Sequence, residues 1–156
     1  MTSYLILKFL HIIGASVLFG TGVGIAFFML QAHRSGNAAV IAGTARIVVV
    51  ADFLFTATAV VIQPVTGWML AERAGFSVFS GWIAVSLVLY VVIGCFWLPV
   101  VWMQAKMRDL AIAAVVTSSP LPEAYHRLFR LWFAFGIPAF IAILVIFWLM
   151  IAKPAL

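Results

Sequence analysis

Four long apolar runs, separated by short polar stretches, dominate the pattern of residues along the chain. The runs extend over residues 4–31, 47–70, 82–104 and 131–152. Each provides the roughly 20 apolar residues that a helix needs to cross a bilayer. None of them alternates apolar and polar residues, as the strands of a membrane barrel do. The pattern therefore predicts an all-α fold, a bundle of four transmembrane helices that forms a single domain over residues 1–156.

The composition agrees with a chain that lies in lipid. Hydrophobic residues make up 67% of the 156 positions, charged residues make up 8%, and the mean hydropathy is +1.25. Soluble domains are about half apolar and about a quarter charged, so a water-soluble fold is excluded. The single cysteine, Cys95, excludes an internal disulfide and the Cys-x-x-Cys-His attachment of c-type haem.

The charged residues lie mainly at the ends of the apolar runs and indicate the orientation of the helices. Nine Lys and Arg against four Asp and Glu give a net charge of +5, which in a soluble domain would suggest a nucleic-acid partner. At helix ends such charges are typical of topology signals and of contacts with anionic membrane lipid, so we expect no nucleic acid. Both termini are predicted to face the periplasm, because the opposite side is richer in Lys and Arg. That side has Arg34, Arg46, Lys106, Arg108, Arg127 and Arg130, and the terminal side has Lys8, Arg73 and Lys153.

The first apolar run contains a lysine and a histidine in the stretch LKFLHIIGASVLFGTG, residues 7–22. His11 shares one helical stripe with Ala15 and Gly22, which leaves space beside the imidazole, while Lys8 is close enough to the membrane end to reach water. Three interpretations of His11 stay open. It is a neutral imidazole hydrogen-bonded to a neighbouring helix, an axial ligand of haem iron, or a relay for protons or metal ions.

The side chains available to His11 are those at the same depth in the other helices. They are Gln63, Thr66 and Met69 in the second run and Ser86 and Tyr90 in the third. His33 and His126 belong to the other membrane face, so this chain offers no second histidine to a haem on His11. The second axial position would be filled by Met69 or Lys8, left open, or filled by a histidine of another subunit.

Basic residues near the terminal face extend this candidate site toward the membrane edge. Lys8, Arg73 and Lys153 lie where they could pair with the two propionates of a haem, since ammonium and guanidinium groups form strong hydrogen bonds to carboxylates. The predicted cofactor-binding residues are His11, Lys8, Met69, Gln63, Arg73 and Lys153.

A second polar set is predicted at the cytoplasmic side. Asp52 lies about one turn inside the second span, and Arg46 and Arg130 are at comparable depths. An unpaired carboxylate would be expensive in lipid, so these residues are expected to form a structural ion pair. The alternative is that Asp52 serves as an entry point for protons.

Two stretches resemble a known family of membrane enzymes. LKFLHIIGASVLFGTG resembles the first helix of the HemJ-type protoporphyrinogen oxidases, and RLFRLWFAFGIPAFIAILVIFWLMIAKP, residues 127–154, resembles their final helix. The resemblance implies b-type haem with His11 as axial ligand. This chain has no lysine between Arg73 and Lys106, and it has Phe135 and Gly136 where that family has an Asn-Glu pair. The resemblance therefore implies the scaffold of a haem-dependent oxidoreductase that lacks the groups expected to remove protons from a porphyrinogen.

The whole chain more closely resembles the uncharacterised bacterial integral membrane proteins of domain-of-unknown-function family 2269. This resemblance places the chain in the bacterial cytoplasmic (inner) membrane and implies no particular activity.

The candidate residues leave three functions open. They are haem binding through His11 for electron transfer or haem handling, an accessory or scaffold subunit that assembles through the Gly20–Gly24 face as a homodimer or in a larger membrane complex, and a metal or ion transporter.

Overall fold

Four helices form the part of the chain that the computed structural model describes, which is residues 2–79 and 81–155. They are α1 (Thr2–Arg34), α2 (Ala38–Arg73), α3 (Gly81–Val116) and α4 (Glu123–Ala152). Each is long and apolar enough to cross a membrane. The predicted fold class, an all-α bundle of four transmembrane helices, is confirmed.

The helices continue beyond the predicted spans because local signals fix their ends. The side-chain oxygen of Asn37 accepts hydrogen bonds from the backbone nitrogens of Ala39, at 2.9 Å, and Val40, at 3.3 Å, so α2 begins nine residues earlier than the apolar run. At the other end of the chain Lys153 adopts a left-handed conformation with φ of 43°, and Pro154 follows it. A left-handed residue followed by proline ends α4.

A single wide turn interrupts the regular winding of α2. Residues Asp52–Thr56 form a π-helical turn between the two α-helical parts of α2. Such turns insert one extra residue and often occur at functional sites. Here the turn brings both Asp52 and Thr56 to the buried side of α2.

The predicted ion pair between Asp52, Arg46 and Arg130 is not formed. Arg130 is instead paired with Glu123, with 3.1 Å between Nη2 and Oε1, and Arg46 is exposed. Arg46 precedes Asp52 by six residues, which at 100° per residue places the two side chains on different faces of α2. The buried carboxylate is held by indole and amide groups of α3.

The tightly packed interior lies in one half of the bundle, which we call the packed half. It is built from the ends of the helices near the two loops opposite the termini. Met29, Met107 and Tyr125 are fully buried there. The buried residues of this half are Ile25, Met29, Ala32, Ile41, Ala45, Val48, Met103, Met107, Ala111, Tyr125, Phe129 and Trp132.

Space remains between the helices in the other half, which contains the termini and which we call the hollow half. An inner cavity of about 560 Å³ extends past Asp52 and Gln104 to Leu30 and Trp132 at the border of the packed half. An outer cavity of about 880 Å³ reaches up to Lys8 and Lys153 near the terminal face. Both cavities are lined by Ala15, Phe19, Gln63, Tyr90, Ile146 and Phe147, so they adjoin at the level of these residues.

Candidate functional site

His11 forms the polar contact between α1 and α2 in the hollow half. Its Nδ1 lies 2.9 Å from Oγ1 of Thr66. The only hydrogen of that hydroxyl is donated within α2, to the carbonyl oxygen of Ile62 at 3.0 Å or of Gln63 at 3.1 Å. With its hydrogen donated in this way, Thr66 accepts a hydrogen bond from His11, and this pattern assigns the proton of the neutral imidazole to Nδ1.

The second ring nitrogen of His11 consequently has a free electron pair. Nε2 lies 3.3 Å from Nε2 of the Gln63 amide, which acts as the donor in this long contact. A histidine whose Nδ1 proton is fixed by a hydrogen bond presents Nε2 as its coordinating or proton-accepting atom. The arrangement is compatible with a hydrogen-bonded structural histidine and with a metal ligand.

Two glycines allow α1 and α2 to approach each other around this contact. A Cβ atom on Gly67 would lie 3.1 Å from Cε1 of His11, and a Cβ atom on Gly14 would collide with Oε1 of Gln63. The absence of side chains at Gly14 and Gly67 is therefore what lets the imidazole and the amide fit between the helices. Both glycines lie three or four residues from His11 and Gln63, a spacing that could have indicated their role.

Four of the six predicted cofactor-binding residues meet at the outer cavity. His11 and Gln63 form part of its inner wall, and Lys8 and Lys153 lie near its terminal end. Lys153 is also positioned over the aromatic ring of Phe76, with 5.7 Å from Nζ to the ring centroid. The lining is otherwise mainly apolar and aromatic, which is typical of ligand pockets.

The structure does not bring Met69 and Arg73 to this cavity. Both are exposed and neither lines its wall. Met69 follows Gly67 by two residues, which corresponds to about 200° around the helix, so it faces away from His11. Arg73 lies in the last turn of α2, about two turns beyond Thr66. Met69 is therefore not placed to serve as the second axial ligand.

The small-residue face of α1 makes no close contact with another helix at Gly20 in the described part of the chain. Gly20 is exposed, and a Cβ atom added there would meet no heavy atom within 4 Å. Gly24 is close only to the ring of Phe28 in the same helix, at 3.9 Å. This face is thus directed to lipid or to another molecule rather than to α2, α3 or α4.

The ligand types of the described residues limit the kinds of metal site that can form. Within residues 2–79 and 81–155, no three His, Cys, Asp or Glu side chains come together as ligands of one ion. A cage for a free divalent metal needs several such ligands. Haem iron needs only one or two protein ligands, since the porphyrin supplies the others.

Comparison with known proteins decides the family. A family model described as a predicted integral membrane protein, DUF2269, matches residues 5–154. The chain belongs to this family. The DUF2269 assignment agrees with the four apolar helices and confirms that the protein is an integral membrane protein. Neither the curated proteins nor the solved structures contain a match to this DUF2269 chain.

Replacing Thr66 by valine should destabilise the bundle by about 1–3 kcal/mol, because the Nδ1 proton of His11 would be left without its acceptor in the interior. Thr58 of the same helix offers a matched control. It is exposed and its hydroxyl donates only to backbone carbonyls within α2, at 2.6 Å for Leu54 and 3.0 Å for Phe55. Thr58→Val should change the free energy of unfolding in detergent by much less. Equal effects of the two substitutions would show that the His11–Thr66 bond contributes nothing.

Proposed function

We propose that this protein binds b-type haem through Nε2 of His11 and serves electron transfer or haem handling in the bacterial inner membrane. The observation that supports this most strongly is the pattern of hydrogen-bond partners around His11. Thr66 accepts the Nδ1 proton at 2.9 Å and its own hydrogen is used within α2, so Nε2 has the electron pair that an iron ligand requires. Consistent with the charge distribution, we place both termini on the periplasmic side.

The dimensions and lining of the outer cavity support this proposal. Its volume of about 880 Å³ is within the roughly 300–1,000 Å³ that pockets for small molecules and cofactors occupy. Lys8 and Lys153 lie near the terminal end, where they could pair with propionates at the water interface. The amide of Gln63 contacts Nε2 at 3.3 Å and would have to move aside for iron.

The residues of the chain would hold and orient the cofactor, and the haem itself would supply one-electron chemistry. Thr66 orients the imidazole, Gly67 packs against its Cε1 edge, and mainly apolar side chains line the cavity beside it. Because Met69 faces away from His11, the second axial position would belong to Lys8, stay open, or be filled by another subunit.

A haem titration of the purified protein tests the proposal. Wild-type protein in detergent should develop a Soret band that saturates at one haem per chain. Gly67→Leu should weaken binding strongly, because the new side chain would push against the imidazole, whose Cε1 would be only 3.1 Å from a Cβ atom at this position. Gly43→Leu is a matched control on α2, since a Cβ atom there meets nothing within 4 Å. Equal haem binding by both variants, or no binding by folded wild-type protein, would contradict the proposal.

A second candidate function, that of an accessory subunit in a membrane complex, is favoured by the exposed face at Gly20. Close helix–helix contacts in membranes use such small residues. Under this hypothesis Gly20→Leu should abolish the association of the protein with its partners or with a second copy in crosslinking from intact membranes, and His11→Ala should not. No comparable observation favours metal transport.

A further inference from the structure

Asp52 lines the inner cavity in a defined hydrogen-bonded environment. Asp52 is only 3% exposed. Nε1 of Trp97 donates a hydrogen bond to its Oδ1 over 3.2 Å. The indole of Trp132 can only donate, so the amide oxygen of Gln104 faces Trp132 at 3.2 Å and its nitrogen faces Oδ2 of Asp52 at 3.0 Å. Both carboxyl oxygens therefore accept a hydrogen bond from a neutral group.

These donors compensate for the burial of the carboxyl group without supplying a positive charge. Arg130 is paired with Glu123, and Arg46 is exposed on another face of α2. The only titratable group among the inner-cavity residues of the other helices is Tyr90 of α3, whose hydroxyl donates to the carbonyl oxygen of Val60 at 2.7 Å. A carboxylate that no cation neutralises is costly at membrane depth, and a bound proton removes this cost.

The wall of α2 above Asp52 contains two further buried polar groups, the hydroxyl of Thr56 and the amide of Gln63. Within the described part of the chain, Oε1 of Gln63 is buried without any hydrogen bond, and Oγ1 of Thr56 is buried with no partner other than the nearby carboxyl group of Asp52. Their residues are only 9% and 7% exposed. Both residues line the inner cavity together with Asp52. Buried polar atoms are nearly always hydrogen-bonded, so Oγ1 of Thr56 indicates a position where water would bind, while Oε1 of Gln63 is packed against α1 at Gly14.

The two cavities connect these polar groups with the terminal side of the membrane. Gln63 lines both cavities, and the outer cavity continues from it to Lys8 and Lys153 at the terminal end. From Asp52 to Gln63 the helix rises by about 16 Å. On the other side of Asp52 the inner cavity extends as far as Leu30 and Trp132, where the buried side chains of the packed half begin.

We infer that Asp52 is a reversible proton-binding site that is reached from the terminal face through the outer cavity, Gln63, Thr56 and water in the inner cavity. When a proton arrives, an O–H bond of a water or hydronium in the cavity breaks and an O–H bond forms on the Asp52 carboxylate. The bonds from Trp97 and Gln104 persist in both states, because each carboxyl oxygen has a second lone pair. The site requires no haem.

Modification by an apolar carbodiimide tests the proton site directly. N,N′-dicyclohexylcarbodiimide reacts only with a protonated carboxyl group, whose proton moves to a reagent nitrogen as the carboxyl oxygen bonds to the carbodiimide carbon. Mass spectrometry should find the adduct on Asp52 at mildly acidic pH, with about tenfold less label for each pH unit above the midpoint. Asp52→Asn should remove the label, and Asp109→Asn, at an exposed residue paired with Arg108, should not. An unlabelled Asp52, or labelling independent of pH, would overturn the inference.

Access to Asp52 through the inner cavity is tested by filling the cavity. Gly22 lines it, and a Cβ atom at this position meets nothing within 4 Å, so Gly22→Phe should reduce the labelling of Asp52 several-fold. Gly20→Phe, on the exposed face of the same helix, should leave it unchanged. If Gly22→Phe fails to fold, Gly94→Phe takes its place, since Gly94 also lines the cavity and has the same free space. Unchanged labelling in a folded cavity-filling variant would contradict the proposed access.

The route itself is tested by the rate at which the proton on Asp52 exchanges. The carbonyl stretching band that disappears in Asp52→Asn should shift rapidly when the wild-type protein is transferred to heavy water. Gln63→Leu and Thr56→Val should slow this shift several-fold, and Gln31→Leu, at an exposed residue of α1, should not. Equal rates in all four proteins would overturn the route. Haem-free protein suffices for these measurements, so their failure would leave the role of His11 untouched.

Discussion

His11→Ala should abolish the haem absorption of the protein, whereas His33→Ala should leave it unchanged. His11 lies beside a cavity with a free electron pair on Nε2, and alanine would remove the only histidine nitrogen in the hollow half. His33 is already used in the packed half, where its ring stacks on Phe129 with centroids 3.7 Å apart and its Nδ1 lies 3.3 Å from the Tyr125 hydroxyl. Absorption spectra of the two purified variants, after expression with ample haem, check this.

Rescue by imidazole separates coordination from a general loss of structure. The cavity left by His11→Ala can admit imidazole from solution, which should restore part of the Soret band if the variant is folded. A folded His11→Ala protein that binds as much haem as the wild type without imidazole would contradict the assignment of the axial ligand.

Met107→Ala should destabilise the protein by about 2–5 kcal/mol, because truncating a fully buried side chain removes apolar contacts and leaves a cavity. Met107 is 0% exposed and lies among the buried residues of the packed half. Met69→Ala is the matched control, since Met69 is 37% exposed and faces away from the bundle interior. We expect its free energy of unfolding in detergent to remain close to that of the wild type.

This comparison examines the division of the bundle into a packed and a hollow half. Trp132→Ala should resemble Met107→Ala, because Trp132 is also buried in the packed half. Ile151→Ala, at an exposed residue beside the outer cavity, should resemble Met69→Ala. Similar losses in all four variants would mean that the buried residues of the packed half contribute no more to stability than exposed residues of the other half.

The sequence predicted the four helices because an uninterrupted apolar run of this length has few other stable conformations in lipid. It also predicted which α2 side chains reach His11. Gln63 and Thr66 do contact it, since depth in a membrane follows directly from the helical rise. Depth alone did not separate Met69 from them, because the face of a helix depends on rotation as well as on height.

The surroundings of Asp52 could not be predicted in the same way. The expectation of an ion pair rested on the cost of a buried charge, and two neutral donors, Trp97 and Gln104, occupy the positions that the arginines were expected to fill. Both look like ordinary residues of an apolar helix in the sequence. The π-helical turn at Asp52 adds a rotation that a regular period of 3.6 residues does not include.

The haem content of the protein isolated from membranes of cells with ample haem tests the central claim most directly. An absorption spectrum combined with a pyridine haemochrome assay should find b-type haem in a ratio of one per chain. A folded, monodisperse and colourless protein under these conditions would contradict the haem proposal and leave the fold and the Asp52 inference standing.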